Sequence, residues 1–262
     1  MTGGPTAVVV LAKAPVAGRV KTRLCPPLRP EQAADLAAAA LLDSLDAASS
    51  VPGGLPVAVL TGDLRAAARR EELSAALHRM PVLVQRGDGL GARIAAAHRD
   101  VAALLPGRAT LQIGMDTPQA GRYLPAAALR LHGAGVDAVL GLAPDGGWWA
   151  LGLRSPDAAR VVAGVPTSRA DTGERTLAAL RAAGLRVVML PELTDVDTVA
   201  DAAVVADAAP GTRFAAVLRA LGPRPDAAVV ADAAAAANAE AATTDRGAAA
   251  GFTAATADRG AA

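Results

Sequence analysis

The sequence predicts an α/β protein with a mixed, mostly parallel sheet between helices, and three observations support this fold class. Short β-branched and aliphatic runs alternate with longer alanine- and leucine-rich stretches of helical character. The first strand-like runs are apolar throughout, which predicts a sheet that is covered on both faces and is therefore largely parallel. The two runs in VDAVLGLAPDGGWWALGL are joined only by the turn-forming linker APDGG, which predicts one antiparallel pair within that sheet.

Each element follows from its local residues. The first strand is the run AVVVLA, and the first helix begins at Pro30 and Glu31, because proline and an early acid favour a helix start. Later aliphatic and β-branched runs predict strands, and later alanine- and leucine-rich stretches predict helices. The predicted strands are 7–12, 56–60, 82–85, 110–113, 136–142, 148–153 and 186–190. The predicted helices are about 31–48, 64–77, 91–104, 122–131, 172–183, 198–206 and 212–221.

Composition and charge exclude several classes of protein. The net charge of the 262 residues is +1 and no basic run is present, so we expect no nucleic-acid partner. Cys25 is the only cysteine, which excludes an intramolecular disulfide framework and a cysteine-rich zinc site. No apolar run approaches the ~20 residues that a membrane-spanning helix needs, and the N-terminus is typical of a strand and not of a signal peptide. We therefore expect a soluble cytoplasmic protein with no membrane span.

Residues 226–262 differ in composition from the rest of the chain. Residues 226–234 repeat residues 201–209 letter for letter, and DRGAA occurs twice near the end. Duplicated, alanine-rich low complexity of this kind predicts a disordered tail. We therefore predict one domain over residues 1–225, followed by a tail to which we assign no function.

Both lysines of the chain lie in one window, KAPVAGRVKTRL, directly after the first predicted strand. The carboxyl edge of a parallel sheet is where ligands bind in such folds. A glycine here can let the backbone approach a phosphate, and the basic side chains can bind a pyrophosphate. The alternative is a solvated surface loop, and a Walker loop is disfavoured because the adjacent Gly-Lys pair is absent. The candidate phosphate-binding residues are Lys13, Gly18, Arg19, Lys21 and Arg23.

Two acidic motifs are candidates for a metal site. Asp116, in QIGMDTPQ, leaves the fourth predicted strand, where a carboxylate can hold Mg²⁺ or Mn²⁺ against substrate phosphates. The alternative for Asp116 is a turn cap before Pro118. In TDVDT, Asp197 is favoured as a second metal ligand and Asp195 as a structural residue, while Thr194 or Asp197 could instead cap the next helix.

The segment PDGGWWALGL holds the only two tryptophans and a turn aspartate. Adjacent strand residues point to opposite faces, so one indole, which we assign to Trp148, can bind a sugar or a base while Trp149 is core. Asp145 is a candidate general base toward an acceptor. The alternative for Asp145, a turn residue ahead of two glycines, carries nearly equal weight.

The segment QRGDGLGARIAAA follows the third predicted strand and opens a helix. It satisfies the permissive dinucleotide pattern G-x-G-x-x-A, but that pattern normally follows the first strand, so it is weak support for a dinucleotide site. We assign Gln85, Gly91 and Arg93 of this segment to substrate binding.

The five motifs KAPVAGRVKTRL, QRGDGLGARIAAA, GMDTP, APDGGWWALGL and DVDTVAD occur in the order found in one transferase family. Over about residues 8–201, the chain resembles the GT-A-like family of radical-SAM/selenodomain-associated transferase 1, also described as arsenosugar-biosynthesis glycosyltransferase. More distantly, its KTRL and DVDT elements are similar to those of 2-phospholactate guanylyltransferase. The resemblance implies a nucleotide-diphospho-sugar transferase fold, with a nucleotide and a divalent metal at the carboxyl edge of the sheet.

The resemblance also implies roles for single residues and a reaction. Lys13, Lys21 and Arg23 would contact the nucleotide phosphates, and Asp116 and Asp197 would hold Mg²⁺ or Mn²⁺. The favoured reaction is glycosyl transfer from a nucleotide sugar to an unknown small-molecule acceptor, with Asp145 deprotonating that acceptor.

Two alternatives stay open on the sequence alone. In the first, a nucleotidylyltransferase, the same loop binds a nucleoside triphosphate and pyrophosphate leaves. In the second, the protein binds nucleotides without catalysing a reaction. An NAD-dependent dehydrogenase ranks below both.

Overall fold

The computed structural model describes residues 5–222, which contain one seven-stranded sheet and helices on both of its faces. The strands are β1 (Thr6–Lys13), β2 (Leu55–Thr61), β3 (Val82–Val84), β4 (Ala109–Ile113), β5 (Ala138–Leu142), β6 (Trp148–Leu153) and β7 (Val187–Met189). The α-helices are α1 (Pro30–Ser49), α2 (Arg70–Leu77), α3 (Leu90–Leu104), α4 (Leu124–Leu131), α5 (Thr172–Ala182), α6 (Val199–Ala208) and α7 (Arg213–Ala220). Each predicted strand is present, within two residues at either end.

The sheet has the strand order β3-β2-β1-β4-β6-β5-β7, and β6 is the one strand of this sheet that runs against its neighbours. Alanine 150 of β6 lies opposite Ile113 of β4 on one side and Gly141 of β5 on the other. The predicted antiparallel pair within a mostly parallel sheet is therefore confirmed. Because β5 and β6 are joined by five residues, no crossover helix lies between them.

Burial of both faces follows from the alternation of side chains along the central strands. On β1, Val8 and Val10 pack into one apolar cluster, which includes residues of α1, α2 and α4. Val9 and Leu11 pack into the opposite cluster, which includes residues of α3 and α5. The continuous apolar character of the first strands thus corresponds to the predicted two-sided cover.

A third layer, which the sequence did not predict, covers the outer side of α1. Leu36 of α1 packs with Val205 of α6 and Phe214 of α7 in a separate apolar cluster. The layer is fastened by Asp43 of α1, whose carboxylate accepts hydrogen bonds from the backbone N–H groups of Arg213 and Phe214 at 3.1 and 2.9 Å. A side chain from one helix thereby caps the N-terminus of another.

The helix predicted over 64–77 is divided in the structure. A 3₁₀ turn over Leu64–Ala66 is separated from α2 by Arg69, whose φ of 51° is left-handed. The guanidinium of Arg69 donates to Asp35 of α1 at 2.7 and 3.1 Å, so a tertiary ion pair holds the break in place. The 3₁₀ helix Pro156–Gly164, which packs against α3, also lies outside the predicted elements.

No helix within residues 5–222 is long and apolar enough to cross a membrane. The predicted disordered tail over 226–262 lies outside the residues that the structure describes.

Deleting the residues after Pro225 is expected to leave the melting temperature nearly unchanged, because this low-complexity segment carries few large apolar side chains with which to add to a core. Thermal unfolding of the full and the truncated chains, followed by circular dichroism, measures the difference. A large drop would show that the segment packs.

Candidate active site

The site lies at the edge of the sheet where the parallel strands end. Strands β1 and β4 are parallel neighbours, so the loops that follow Lys13 and Ile113 emerge side by side. The backbone N–H of Lys13 contacts the sulfur of Met115 at 3.3 Å, which joins the two loops at their bases. The lysine-containing loop and the Asp116 segment are therefore neighbours because of strand order.

The loop after β1 is folded back on itself. The ammonium of Lys13 donates to the carbonyl of Arg19 at 2.8 Å, across a turn in which Gly18 has a φ of 70°. The Arg19 side chain is exposed, whereas Val20 and Leu24 are buried and anchor the end of the loop. Lys21 lies between these anchors with a left-handed φ of 47°.

Lys21 joins the loop to two aspartates from distant parts of the chain. Its Nζ lies 2.9 Å from Oδ2 of Asp116 and 3.1 Å from Oδ1 of Asp197. The Lys21 side chain is only 13% exposed, so its ammonium is largely shielded from water, whereas the two carboxylates are partly exposed. Arg23, which is 75% exposed, donates from Nη1 to the other oxygen of Asp197 at 3.3 Å.

Three hydrogen bonds bring the segment 191–197 from β7 across to Asp116. The backbone N–H of Val196 donates to the Asp116 carbonyl at 3.0 Å, and Nε2 of Gln119 donates to the Thr194 carbonyl at 2.5 Å. The buried Trp149 indole donates to the Pro191 carbonyl at 3.0 Å. Gln119 and Trp149 thus position the acidic segment, a role that no local motif in the sequence indicates.

One acidic cluster stands out among residues 5–222. Carboxylate oxygens of Asp116, Asp195 and Asp197 lie within 4.8 Å of one another. The sequence favoured a structural role for Asp195 without excluding a ligand role, and the structure places its carboxylate in this cluster. The suggested helix caps were wrong, because Thr198 caps α6, where its hydroxyl accepts from the Asp201 N–H at 3.2 Å.

The cluster has the donor set of a hard-cation site. Mg²⁺ bonds oxygen at about 2.0–2.1 Å, so opposite ligands around one ion lie roughly 4.2 Å apart. Three partly exposed carboxylates with oxygens within 4.8 Å need only a small adjustment to reach such a geometry. The residues therefore fit Mg²⁺ or Mn²⁺.

Burial and neighbouring charges shift the pKa values of Asp195 and of Lys21, which contacts the cluster. Burial is the main reason that the pKa of Asp195 rises to about 7, and the negative charges of nearby carboxylates, among them Asp116 and Asp145, add to this rise. Burial lowers the pKa of Lys21, but the attraction of its two carboxylate partners outweighs burial, and the net pKa lies above its ordinary value.

Replacing Asp195 by asparagine is expected to remove a pH dependence of stability. The raised pKa of Asp195 means that the folded state prefers the protonated carboxyl, so this contribution is present below about pH 4 and is lost as the pH rises toward 7. The free energy of unfolding of the parent chain relative to Asp195→Asn should fall by about 1–2 kcal/mol across this range, after allowance for solvent screening. Urea unfolding in EDTA at several pH values measures it, with Asp157→Asn, at an exposed site, as the control.

The turn between β5 and β6 holds Asp145 close to the cluster. Oδ1 of Asp145 accepts a hydrogen bond from the Gly147 N–H at 2.7 Å, so the aspartate stabilises its own turn. Gly146 has a φ of 87°, and a Cβ at this position would lie 1.8 Å from the Ala170 carbonyl oxygen. The turn is thus packed against the start of α5, and only glycine fits there.

The two tryptophans pack on opposite faces of the sheet, as alternation along a strand requires. Trp149 is 2% exposed and belongs to the core beside Tyr123, whereas Trp148 is half-buried against the opposite cluster. Trp148 as a contact for a sugar or a base stays a prediction.

The segment after β3 makes mainly structural contacts. The amide of Gln85 donates to the carbonyls of Ala12 and Val59, and Nε of Arg93 donates to the Gly87 carbonyl at 3.2 Å. A Cβ on Gly91 would lie 2.8 Å from the Val162 carbonyl oxygen, so this glycine permits close packing of α3. Contacts of Gln85, Gly91 and Arg93 with substrate stay a prediction.

Comparison with known proteins supports the fold. Residues 44–169 match the family DUF2064, described as an uncharacterized protein conserved in bacteria. A crystal structure from Desulfovibrio desulfuricans, described as a "putative nucleotide-diphospho-sugar transferase", superposes with a TM-score of 0.71 at 28% identity, covering 82% of this chain and 94% of that one. A CMP:2-keto-3-deoxy-manno-octonic acid synthetase complexed with CTP superposes with a TM-score of 0.51 at 13% identity, covering 79% and 99%.

One curated relative matches part of the chain. Phosphoenolpyruvate guanylyltransferase of Nocardia farcinica is 36% identical over 114 residues, which is 44% of this chain and 50% of the relative. The aligned region thus spans half the length of that relative. The resemblance to GT-A-like transferases and guanylyltransferases is confirmed by these matches. The chain has the fold of the nucleotide-diphospho-sugar transferases and nucleotidyltransferases, and its residues 44–169 match the family DUF2064.

Proposed function

We propose that the protein is a divalent-metal-dependent transferase that uses a nucleotide-activated donor. One observation carries the proposal: the ammonium of Lys21 lies within 3.1 Å of carboxylates from two distant segments, at the edge of the sheet where ligands bind in this fold. A cationic loop and an acidic cluster therefore share one site, and this pairing suits a diphosphate held with Mg²⁺ or Mn²⁺.

Different residues of the site would bind the metal, the phosphates and the acceptor. Asp116 and Asp197, together with Asp195, would hold the metal, which when bound neutralises negative charge that develops on the diphosphate. The side chains of Lys13, Arg19 and Arg23, on the exposed loop, bind and orient the phosphates. Asp145, in the turn beside the cluster, accepts the proton of the acceptor hydroxyl.

Glycosyl transfer is the first candidate reaction. It is favoured by the motif order and by the structural relative from Desulfovibrio desulfuricans, which is aligned over nearly its whole length. The acceptor oxygen forms a bond to the anomeric carbon of the donor sugar, the bond from that carbon to the diphosphate breaks, and a nucleoside diphosphate leaves. The acceptor is a small molecule whose class the site leaves open.

Nucleotidyl transfer is the second candidate, favoured by the 36% identity to the phosphoenolpyruvate guanylyltransferase of Nocardia farcinica. In this reaction an acceptor oxygen attacks the α-phosphorus of a nucleoside triphosphate, and pyrophosphate leaves. The same basic loop would then bind the departing pyrophosphate.

Product analysis distinguishes these reactions. The full chain is first screened by thermal shift against nucleoside triphosphates and nucleotide sugars, each with Mn²⁺ and with EDTA. We expect one nucleotide class to raise the melting temperature with Mn²⁺ and to lose that effect in EDTA. Release of nucleoside diphosphate from the stabilising donor identifies glycosyl transfer, and release of pyrophosphate identifies nucleotidyl transfer.

Two outcomes would contradict the proposal. If nucleotides bind equally well in EDTA and no donor is turned over, the protein binds nucleotides without catalysing a reaction, as in the second alternative from the sequence. If no nucleotide stabilises it under either condition, the site has another ligand.

A further inference from the structure

The acidic cluster already holds a cation, the ammonium of Lys21. Lys21 Nζ lies within hydrogen-bond distance of Oδ2 of Asp116 and Oδ1 of Asp197. The second oxygen of Asp197 accepts from Arg23, so both oxygens of this carboxylate are in contact with positive charge. A metal that binds Asp197 must therefore either share a carboxylate oxygen with Lys21 or Arg23, or displace one of these side chains from it.

A divalent ion and the Lys21 ammonium cannot both stay on these oxygens at low cost. An ion bonded to Asp116 at about 2.1 Å would lie within roughly 5 Å of an ammonium 2.9 Å from the same carboxylate. The pair would repel in a site that is partly shielded from water, where screening is weak. Binding of a divalent ion and retention of the Lys21 ammonium therefore oppose one another.

The backbone around Lys21 is anchored on both sides, whereas its side chain is a long, flexible stem. The neighbours Val20 and Leu24 are buried, and Cys25 N–H closes the following turn onto the Thr22 carbonyl at 3.0 Å. The flexible stem of lysine can swing its ammonium away from the carboxylates without unfolding this turn. On the exposed loop it would find the phosphates that the proposed donor supplies.

We propose that Lys21 is a resident counter-ion that competes with the divalent metal for Asp116 and Asp197, and that its release onto the donor diphosphate couples metal binding to donor binding. This inference rests on the proposed function, because it requires a metal at the cluster. Without a donor, the metal must displace a bound ammonium and binds weakly. With a donor, the displaced ammonium gains a new anionic partner, so each ligand strengthens the other by the same factor.

The test is the Mn²⁺ affinity of the nucleotide-free protein, measured by electron paramagnetic resonance of free Mn²⁺. Replacing Lys21 by methionine keeps most of the stem and removes the charge, so Mn²⁺ should bind at least tenfold more tightly. Lys21→Arg keeps the charge and should remain weak. Arg160→Met is the control, because the exposed Arg160 donates to the Asp157 carbonyl and has no role in the proposed site, and its Mn²⁺ affinity should match that of the parent chain.

Further variants separate this inference from the proposed function. Lys21→Gln, which keeps hydrogen-bonding capacity without charge, should show the same gain and replaces Lys21→Met if the latter does not fold by circular dichroism. Adding Asp116→Asn to Lys21→Met should abolish the gain. If Asp116→Asn weakens Mn²⁺ binding but neither neutral Lys21 variant strengthens it, the metal site stands and the competition is overturned. If Mn²⁺ binds neither the parent chain nor these variants, both proposals fail.

Discussion

Replacing Asp116 by asparagine is expected to abolish Mn²⁺-dependent nucleotide binding while leaving the fold intact. Asparagine has the shape of aspartate but lacks its charge, so the cluster loses one of three carboxylates. The backbone carbonyl that accepts from Val196 is unchanged, so the acidic segment keeps its position. Loss of a metal ligand of this kind costs about 3 kcal/mol or more, which corresponds to at least ~100-fold weaker Mn²⁺ binding.

The experiment compares Mn²⁺ and nucleotide titrations of the parent chain and Asp116→Asn, with circular dichroism to confirm folding. Asp157→Asn is the control, because Asp157 is exposed on the 3₁₀ helix Pro156–Gly164 and is not part of the three-carboxylate cluster, so its Mn²⁺ affinity should match that of the parent chain. A nucleotide affinity of Asp116→Asn that equals that of the parent chain in Mn²⁺ would refute the metal assignment.

Replacing Gly146 by alanine is expected to give the largest loss of stability of the substitutions considered. The added Cβ would lie 1.8 Å from the Ala170 carbonyl oxygen, and the φ of 87° disfavours any residue with a side chain. Backbone strain and overpacking each cost about 1–3 kcal/mol, so we expect a loss of at least about 3 kcal/mol in the free energy of unfolding. Movement of the turn would also displace Asp145.

Urea unfolding of Gly146→Ala and Gly164→Ala provides the comparison. Gly164 has no atom within 4 Å of an added Cβ, so alanine there should cost little. Similar free energies of unfolding for the two variants would show that the turn and the start of α5 can separate without penalty.

The sheet could be predicted because its strands are strongly patterned. The run AVVVLA is apolar on both faces, which requires cover on both sides, and APDGG is too short for a crossover helix, which requires an antiparallel partner for β5. The division of the 64–77 helix could not be predicted, because it depends on the ion pair between Arg69 and Asp35 of another helix. The layer formed by α6 and α7 depends likewise on tertiary packing against α1.

Individual residues of the site could be predicted from the sequence, but their contacts with one another could not. The concentration of both lysines in one loop and the position of Asp116 after a strand pointed to one edge of the sheet. The direct contacts of Lys21 with Asp116 and Asp197 span 95 and 176 positions of sequence, and no local pattern encodes them. Asp195 was assigned differently because nothing in TDVDT distinguishes its two aspartates, whereas the path of the segment held by Gln119 brings both into the cluster.

The reversed direction of β6 determines at which edge of the sheet the turn between β5 and β6 lies. Strand β6 starts at the edge where β4 and β5 end, so the turn holding Asp145 lies at the same edge of the sheet as the loops that follow β1 and β4. A short hairpin thereby adds one more loop to this edge of the sheet without adding a helix. If Asp145 serves as the proposed base, a change confined to that turn would alter the groups that face the acceptor, while the strands beneath it keep their pairing.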